Sequence, residues 1–159
     1  MKIRLFTLPN MLTLANLMAG VLAIIATLNY HDYETALWLI VAAAIFDFFD
    51  GFVARLLNQQ SPLGVELDSL ADDVTFGVAP ALVMFDLYRG AVAEWVHNDV
   101  VMQWLGVVVL LVAAFSVLRL AKFNIDTTQS AEFEGLPTPA NALLLISLAL
   151  LAQQGHIIL

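Results

Sequence analysis

The 159-residue sequence contains no cysteine and few charged residues. Without cysteine the chain can form neither a disulfide nor a thiol-based catalytic site, and the redox compartment is left open. Lysine and arginine together number 6, against 14 aspartates and glutamates, which gives a formal net charge of -8. Surfaces that bind nucleic acid are basic, so we expect no nucleic-acid partner.

Apolar residues dominate instead. Hydrophobic residues make up 61% of the chain and the mean hydropathy is +0.87, whereas a soluble domain averages about 45–50% apolar residues. Several apolar runs reach the length of about 20 residues that a helix needs to cross a bilayer. The sequence therefore predicts an all-α, polytopic transmembrane helix bundle, with residues 1–159 forming one integral-membrane domain.

We expect about five complete spans and the start of a sixth. The apolar runs cover residues 9–29, 33–57, 61 or 62 to 87, 100–122 and 137–151, and a further run starts near residue 156. Basic residues before the first run resemble the start of a signal peptide. That run is longer than the usual apolar region of such a peptide, so we interpret it as a retained first helix.

The basic residues predict the orientation of the bundle. With the amino terminus inside, five of the six fall on the inner side: Lys2, Arg4, Arg55, Arg119 and Lys122. Only Arg89 falls outside. Inner loops of membrane proteins carry an excess of lysine and arginine, so we expect the ends of the second and fourth spans to face the cytoplasm.

Two pairs of aspartates lie inside apolar segments. Asp47 and Asp50 are three residues apart, and Asp68 and Asp72 are four apart, so each pair lies on one face of its helix. A polar turn, residues 58–62, separates the two helices. At 1.5 Å per residue, Asp47 and Asp72 are each roughly 18–20 Å from the turn. We expect the four carboxylates to lie at about the same depth and to face one another.

Four carboxylates in apolar surroundings repel each other and are costly to desolvate. They can be protonated, paired with arginine or bound to cations, and Arg55 alone cannot neutralise all four. Oxygen-only ligands suit Mg²⁺, Mn²⁺ or Ca²⁺, and the sequence leaves open whether one or two ions bind. The alternatives are solvated acids at helix ends, and the ion pathway of a cation or proton transporter.

Small residues accompany these acids. Gly51 and Ala54 lie on or beside the acid-bearing face, and Gly64 is the corresponding small residue on the facing helix. They either let a ligand approach the backbone or serve the close packing of membrane helices. Arg55 either holds a phosphate or carboxylate, or extends to the membrane interface.

The full pattern is Asp47-x-x-Asp50-Gly51-x-x-Ala54-Arg55, then eight residues, then Gly64-x-x-x-Asp68-x-x-x-Asp72. It resembles, position for position, the signature of the CDP-alcohol phosphatidyltransferases. The resemblance implies that Asp47, Asp50, Asp68 and Asp72 bind a divalent metal, Mg²⁺ or Mn²⁺ with Ca²⁺ also suitable, and that Asp72 is the general base. It implies a CDP site lined by Asp50, Gly51, Ala54, Arg55 and Gly64. It also implies a membrane-embedded homodimer with about six helices per subunit.

Other segments are similar to the bacterial and archaeal phosphatidylserine synthases of that family. They are Pro9-Asn10-x-x-Thr13-x-x-Asn16, Phe76-Gly77-Val78-Ala79-Pro80 after the second acid pair, Arg119-Leu-Ala-Lys122-Phe-Asn124, and Phe133-Glu-Gly135-Leu-Pro137-Thr-Pro139-Ala140. The resemblance implies CDP-diacylglycerol and L-serine as substrates and the inner membrane of a prokaryote as the location. Inositol phosphate and glycerol phosphate are the alternative acceptors, although an anionic acceptor needs a basic pocket.

Serine is a zwitterion, so its site needs a cation for the carboxylate. Arg119 is our first choice because its planar guanidinium can hold both oxygens, and Lys122 and Asn124 are the further candidates. The alternative is that Arg119 only anchors the helix at the inner membrane face. The family also implies a sixth span, whereas the sequence stops at Leu159. We therefore expect either a truncated form or a last helix that lies outside this sequence.

Overall fold

The computed structural model describes residues 5–92, 99–125 and 136–155. Six α-helices occur in these ranges: α1 (Leu8–Tyr30), α2 (Tyr33–Leu56), α3 (Pro62–Asp72), α4 (Ala79–Val92), α5 (Asp99–Ile125) and α6 (Thr138–Gln153). A π-helical turn, Asp73–Val78, joins α3 to α4. The described residues contain no strand, and the predicted all-α class is confirmed.

Local capping signals set the ends of the first two helices. Thr7 caps α1 by accepting a hydrogen bond from the Asn10 backbone N–H, with Pro9 in the first turn. α1 ends at His31, whose φ of 51° is left-handed. Asp32 then caps α2 by accepting from the Thr35 backbone N–H at 2.9 Å. Both helices therefore begin and end within a residue or so of the predicted spans.

Two of the described helices, α1 and α2, are long and apolar enough to cross a membrane, at 23 and 24 residues. α6 is a shorter apolar helix of 16 residues. These helices agree with the predicted membrane bundle. The number of spans stays a prediction, and the start of a sixth span at residues 156–159 lies outside the described residues.

Most of the apolar side chains that the bundle buries are alanines, and many large apolar side chains are exposed. Its buried faces carry Ala19, Gly20 and Ala23 on α1, Ala36 and Ala43 on α2, and Ala142 and Ala149 on α6. Trp104 and Phe115 on α5 are 70% and 65% exposed. Lipid tails are as apolar as these large side chains, so membrane helices gain most by approaching closely through small residues. This distribution fits a bundle surrounded by lipid.

The third predicted span is interrupted. We predicted one helix from residue 61 or 62 to 87, whereas the structure has α3, the π-helical turn and α4 as far as Val92. Pro80 has no N–H to donate to the Phe76 carbonyl, and its ring clashes with that carbonyl in an α-helix. The helix therefore widens into a π-helical turn before the proline, where the Ala79 N–H bonds to Val74 O five residues back.

α1 is the helix that joins the acid-bearing elements. It packs along α2 and also against α3, the π-helical turn and α4, whereas α2 and α3 have far fewer contacts with each other. A Cβ at Gly20 would lie 2.4 Å from Thr75 Oγ1 and 2.8 Å from Thr75 Cα. Gly20 therefore lets α1 lie directly against the π-helical turn, where Thr75 donates to the Asn16 carbonyl at 3.3 Å.

A polar cluster lies at the carboxyl-terminal end of α1. The buried Asp86 carboxylate contacts His31 Nδ1 at 2.7 Å and accepts from the Tyr33 hydroxyl at 3.0 Å. Gln153 Nε2 donates to the His31 carbonyl at 2.8 Å. These bonds tie the turn between α1 and α2 to α4 and α6. They fix the end of the bundle that lies farthest from the paired aspartates.

Candidate active site

Three carboxylates from two helices form the centre of the site. α2 supplies Asp47 and Asp50, and α3 supplies Asp68; one oxygen of each lies within 4.8 Å of the other two. Asp50 is only 5% exposed, and the other two are half-buried. Asp68 Oδ1 is buried without a hydrogen-bond partner among the described residues. We call Asp47, Asp50 and Asp68 the carboxylate trio.

Asp72 lies one helical turn beyond Asp68. Its carboxyl group lies against that of Asp47, and its Oδ1 accepts from Asn16 Nδ2 at 3.0 Å. Asp72 is not within 4.8 Å of every member of the trio, but it is contiguous with the trio through Asp47. The structure thus brings all four predicted acids together.

The trio has the chemistry of a divalent-cation site. It offers only carboxylate oxygens, the ligands that hard cations such as Mg²⁺, Mn²⁺ and Ca²⁺ prefer. A buried polar atom with no partner is rare in folded proteins, and Asp68 Oδ1 is such an atom inside the trio. The residues therefore fit a divalent ion; that they bind one, and which one, stays a prediction.

A cavity of about 410 Å³ adjoins the trio between α1, α2 and α3. All five residues predicted to bind the nucleotide line it: Asp50, Gly51, Ala54, Arg55 and Gly64. Asp68 lines the same cavity, so two members of the trio form part of its wall. Six of the eight motif residues thus line one cavity, and the role of that cavity stays a prediction.

The two glycines of this cavity serve different purposes. A Cβ at Gly51 would meet only Arg55 Nη2, at 4.0 Å, so open space lies in front of Gly51. A Cβ at Gly64 would lie 3.3 Å from Ser61 Oγ and 3.4 Å from Asn10 Oδ1. Ser61 Oγ accepts from the Gly64 N–H and so caps α3. Gly51 leaves room for a ligand, whereas Gly64 leaves room for the helix cap.

α1 supplies site residues to which our sequence reasoning gave no role. The Thr13 hydroxyl donates to Asp50 Oδ2, and Asn16 Nδ2 donates to Asp72. Asn10, Thr13 and Asn16 are all at most 3% exposed. Their spacing of i, i+3 and i+6 puts them on one face of an otherwise apolar helix. Polar residues inside a membrane helix are expensive and mark function, so that spacing could have identified them.

A second cavity, of about 400 Å³, lies between α5 and α6. Its polar lining consists of Ser116 and Arg119 on α5, and Thr138 and Asn141 on α6. Lys122 is exposed and does not line this cavity. Asn124 belongs to the last turn of α5, and its side chain lies outside the described part of the chain. Of the three predicted acceptor residues, only Arg119 is therefore seen at a cavity.

The second cavity adjoins the π-helical turn. A Cβ at Gly77 would lie 3.2 Å from Asp73 Oδ1 and 3.3 Å from Ser116 Oγ. Both side chains therefore approach the same point on the turn, and Asp73 directly follows Asp72. Asp73 Oδ1 is buried without a partner among the described residues. Our sequence reasoning gave Asp73 no role, since a lone fifth acid has no helical partner to mark it.

Fold and site together define a helical membrane protein with a carboxylate cluster of the cation-binding kind. Residues 6–159 match the family model described as CDP-alcohol phosphatidyltransferase, and the chain belongs to this family. The resemblance drawn from the sequence motif is thereby confirmed.

Curated relatives share one description, CDP-diacylglycerol–serine O-phosphatidyltransferase. A Mycobacterium tuberculosis relative is 45% identical over 96% of this chain and 52% of its own length. A Helicobacter pylori relative is 39% identical over 96% of this chain and 61% of its own length. A Bacillus subtilis relative is 38% identical over 89% of this chain and 75% of its own length. The chain thus spans about half the length of the mycobacterial relative.

Proposed function

We propose that this chain transfers a phosphatidyl group from CDP-diacylglycerol to L-serine and releases CMP. One observation carries the proposal: every residue of the family motif except Asp47 and Asp72 lines a single cavity, and that cavity includes Asp50 and Asp68 of the carboxylate trio. Membership of the family supports the reaction class. The description shared by the bacterial relatives supports serine as the acceptor.

The first cavity suits the CDP part of the lipid substrate. Gly51 leaves open space at its wall, and Arg55 carries a guanidinium group that can hold a phosphate with two parallel hydrogen bonds. A divalent ion, when bound, would offset the charge of the diphosphate and of the departing CMP oxygen. Asp47, Asp50 and Asp68 would hold that ion, with Asp72 completing the ligand set that the family implies.

Asp72 is the proposed general base. Asn16 Nδ2 donates to its Oδ1, and we assign the proton of the serine hydroxyl to the other oxygen, Oδ2. The serine oxygen then forms the new bond to the lipid-side phosphorus, and the bond from that phosphorus to the CMP oxygen breaks. General bases of this kind contribute about 10²–10⁴-fold to rates.

The second cavity suits a zwitterionic acceptor. Arg119 supplies a cation for the serine carboxylate. Ser116 lines the same cavity, and the unpartnered Asp73 Oδ1 approaches Ser116 at Gly77 of the π-helical turn; we assign the serine ammonium group to these two oxygens. A second negative group, such as the phosphate of glycerol phosphate or inositol phosphate, would be repelled by Asp73. This distribution of charge favours serine over the two anionic alternatives.

We also propose that the acid-bearing end of the bundle faces the cytoplasm of a prokaryotic cell and that the protein is a homodimer. Arg55 lies in the last turn of α2 and Lys122 in the last turn of α5. Basic residues at these ends support the orientation. The homodimer rests on the family resemblance alone, and cross-linking of the detergent-solubilised protein would test it.

The test of the function is an acceptor panel. Purified protein is given CDP-diacylglycerol with serine, glycerol phosphate or inositol phosphate, and both CMP and the lipid product are measured. We expect phosphatidylserine and an equal amount of CMP, formed only with a divalent ion present. A product with another alcohol would reassign the acceptor. Absence of CMP together with ion flux in vesicles would favour the transporter alternative.

Replacing Arg119 tests the acceptor cavity. Arg119→Ala should raise the KM for serine about 10- to 100-fold, because a hydrogen bond to a charged group contributes roughly 1.5–3 kcal/mol. The KM for CDP-diacylglycerol should stay nearly unchanged. Lys122→Ala is the matched control and should change the serine KM little. An Arg119→Ala protein that inserts normally and keeps wild-type serine kinetics would leave Arg119 as a membrane anchor only.

Replacing Gly51 tests the nucleotide cavity. Gly51→Leu should abolish detectable CMP binding in calorimetry, because the new side chain starts in open space at the cavity wall and would occupy the cavity. Gly90→Leu on α4 is the matched control, since a Cβ there also meets nothing within 4 Å. It should bind CMP as the wild type does. Unchanged CMP affinity in Gly51→Leu would remove Gly51 from the nucleotide site.

A further inference from the structure

The buried amide of Asn16 is an unusual feature of α1. Asn16 has no exposed surface, and its Nδ2 donates to Asp72 Oδ1 at 3.0 Å. Its own Oδ1 is buried and finds no partner among the described residues. The amide thus satisfies its donor side on one carboxylate and leaves its acceptor side unpaired.

Packing alone does not account for this side chain. Leucine has nearly the same shape and would leave no unpaired oxygen in an apolar helix. A buried polar atom without a partner is destabilising and is found where another requirement keeps it. The requirement visible in the structure is the bond from Nδ2 to Asp72.

This bond is one of two that link Asn16 of α1 to α3 and the π-helical turn. The Asn16 side chain holds Asp72, and the Asn16 carbonyl accepts from Thr75 Oγ1, three residues further along the chain from Asp72. Gly20 allows the close approach of the two elements at Thr75. A free carboxylate rotates about a broad, two-fold torsion. Two bonds from one residue of α1 thus hold the turn that follows Asp72 and restrict the rotation of the Asp72 carboxyl group.

We infer that Asn16 is a positioning residue for the proposed general base, holding Asp72 so that its other oxygen faces the serine hydroxyl. The inference rests on the proposed function. It assigns α1 a part in the reaction. Thr13 positions Asp50 at the nucleotide cavity in the same way. Neither residue needs to touch the substrate for this role.

The test compares three variants of buried polar residues on α1. Asn16→Leu should lower kcat for phosphatidylserine formation about 10- to 100-fold, the usual cost of losing a group that orients a site residue. Its serine KM and its CMP affinity, measured by calorimetry with Mg²⁺, should stay at wild-type values. Thr13→Val should instead weaken CMP binding, because Thr13 holds Asp50. Thr27→Val removes a buried hydroxyl that bonds only to its own helix at Ala23 O and should change neither quantity.

Asn16→Ala provides a second readout if Asn16→Leu inserts poorly, because it removes the N–H donor without adding bulk or charge beside Asp72. It should lose kcat to a similar degree. Wild-type kcat in either folded variant would overturn the inference. A structural role would also overturn the inference. It would show as a loss of kcat together with an equal loss of CMP affinity and a Tm below that of Thr27→Val. A wild-type chain that transfers to another alcohol would be compared with the variants using that alcohol. A wild-type chain with no transferase activity would overturn the proposed function and this inference with it.

Discussion

An Asp72→Asn chain should insert and fold as the wild type does and form phosphatidylserine about 10²–10⁴-fold more slowly. The amide has the shape of the carboxyl group but cannot accept the serine proton, and that range is the usual contribution of general acid–base catalysis. The change also sets an amide against the Asn16 amide that now donates to Asp72. The kcat for CMP release with saturating serine is the quantity to measure.

The matched control is Asp86→Asn, which makes the same change in a buried aspartate at the far end of the bundle. Asp86 bonds to His31 and Tyr33, so this variant should lose stability rather than kcat. Comparing the two separates loss of a catalytic group from loss of a buried charge. Near-normal product formation by a well-folded Asp72→Asn protein would remove the general-base assignment.

The helix ends at the start of the chain could be predicted because they follow from neighbouring residues. Thr7 and Pro9 start α1, and Asp32 caps α2, through bonds that span three residues. The pairing of acids on one helix face follows from the helical repeat alone. Local rules were therefore sufficient for the beginning of the bundle and for grouping the four acids.

The interruption of the third span could not be predicted from local rules. Pro80 in an apolar run allows a kink, a helix end or a π-helical turn, and all three relieve the missing N–H. The choice depends on what packs against the turn. Here Gly20 brings α1 against Thr75, and Gly77 brings Ser116 of α5 against the same turn. Those partners are distant in sequence, so no short segment around Pro80 determines which of the three structures forms.

The part played by α1 was missed for a related reason. We predicted that α2 and α3 would face each other as a hairpin, and their acids do meet. The helix that packs along both is α1, and its Thr13 and Asn16 reach one acid on each. Helical periodicity shows which residues share a face, but not which helix that face meets. The cavity around Arg119 likewise joins α5 to α6, which are separated by residues 126–135 outside the described structure.

The largest loss should follow replacement of Asp47. This carboxylate belongs to the trio with Asp50 and Asp68 and also lies against Asp72, so it is shared by the proposed ion site and the proposed base. Asp47→Ala should lower kcat at least about 10³-fold, because charge stabilisation by a divalent ion contributes several kcal/mol and each 1.36 kcal/mol is tenfold in rate. It should also abolish the Mg²⁺ dependence of CMP binding, which calorimetry measures without turnover.

Asp50→Ala should lower kcat less than Asp47→Ala does. Raised Mg²⁺ should partly restore the kcat of Asp50→Ala, because Asp50 lies at the nucleotide cavity and the contact between Asp47 and Asp72 remains. Glu66→Ala is the control: Glu66 is exposed on α3, two residues before Asp68, and its loss should leave the Mg²⁺ dependence unchanged. Two results would contradict the ion site. One is a wild-type rate that a chelator does not lower, and the other is an Asp47→Ala protein whose CMP binding responds to Mg²⁺ as the wild type does. Either result would require the four acids to be held without a cation, by protonation or by pairing with one another.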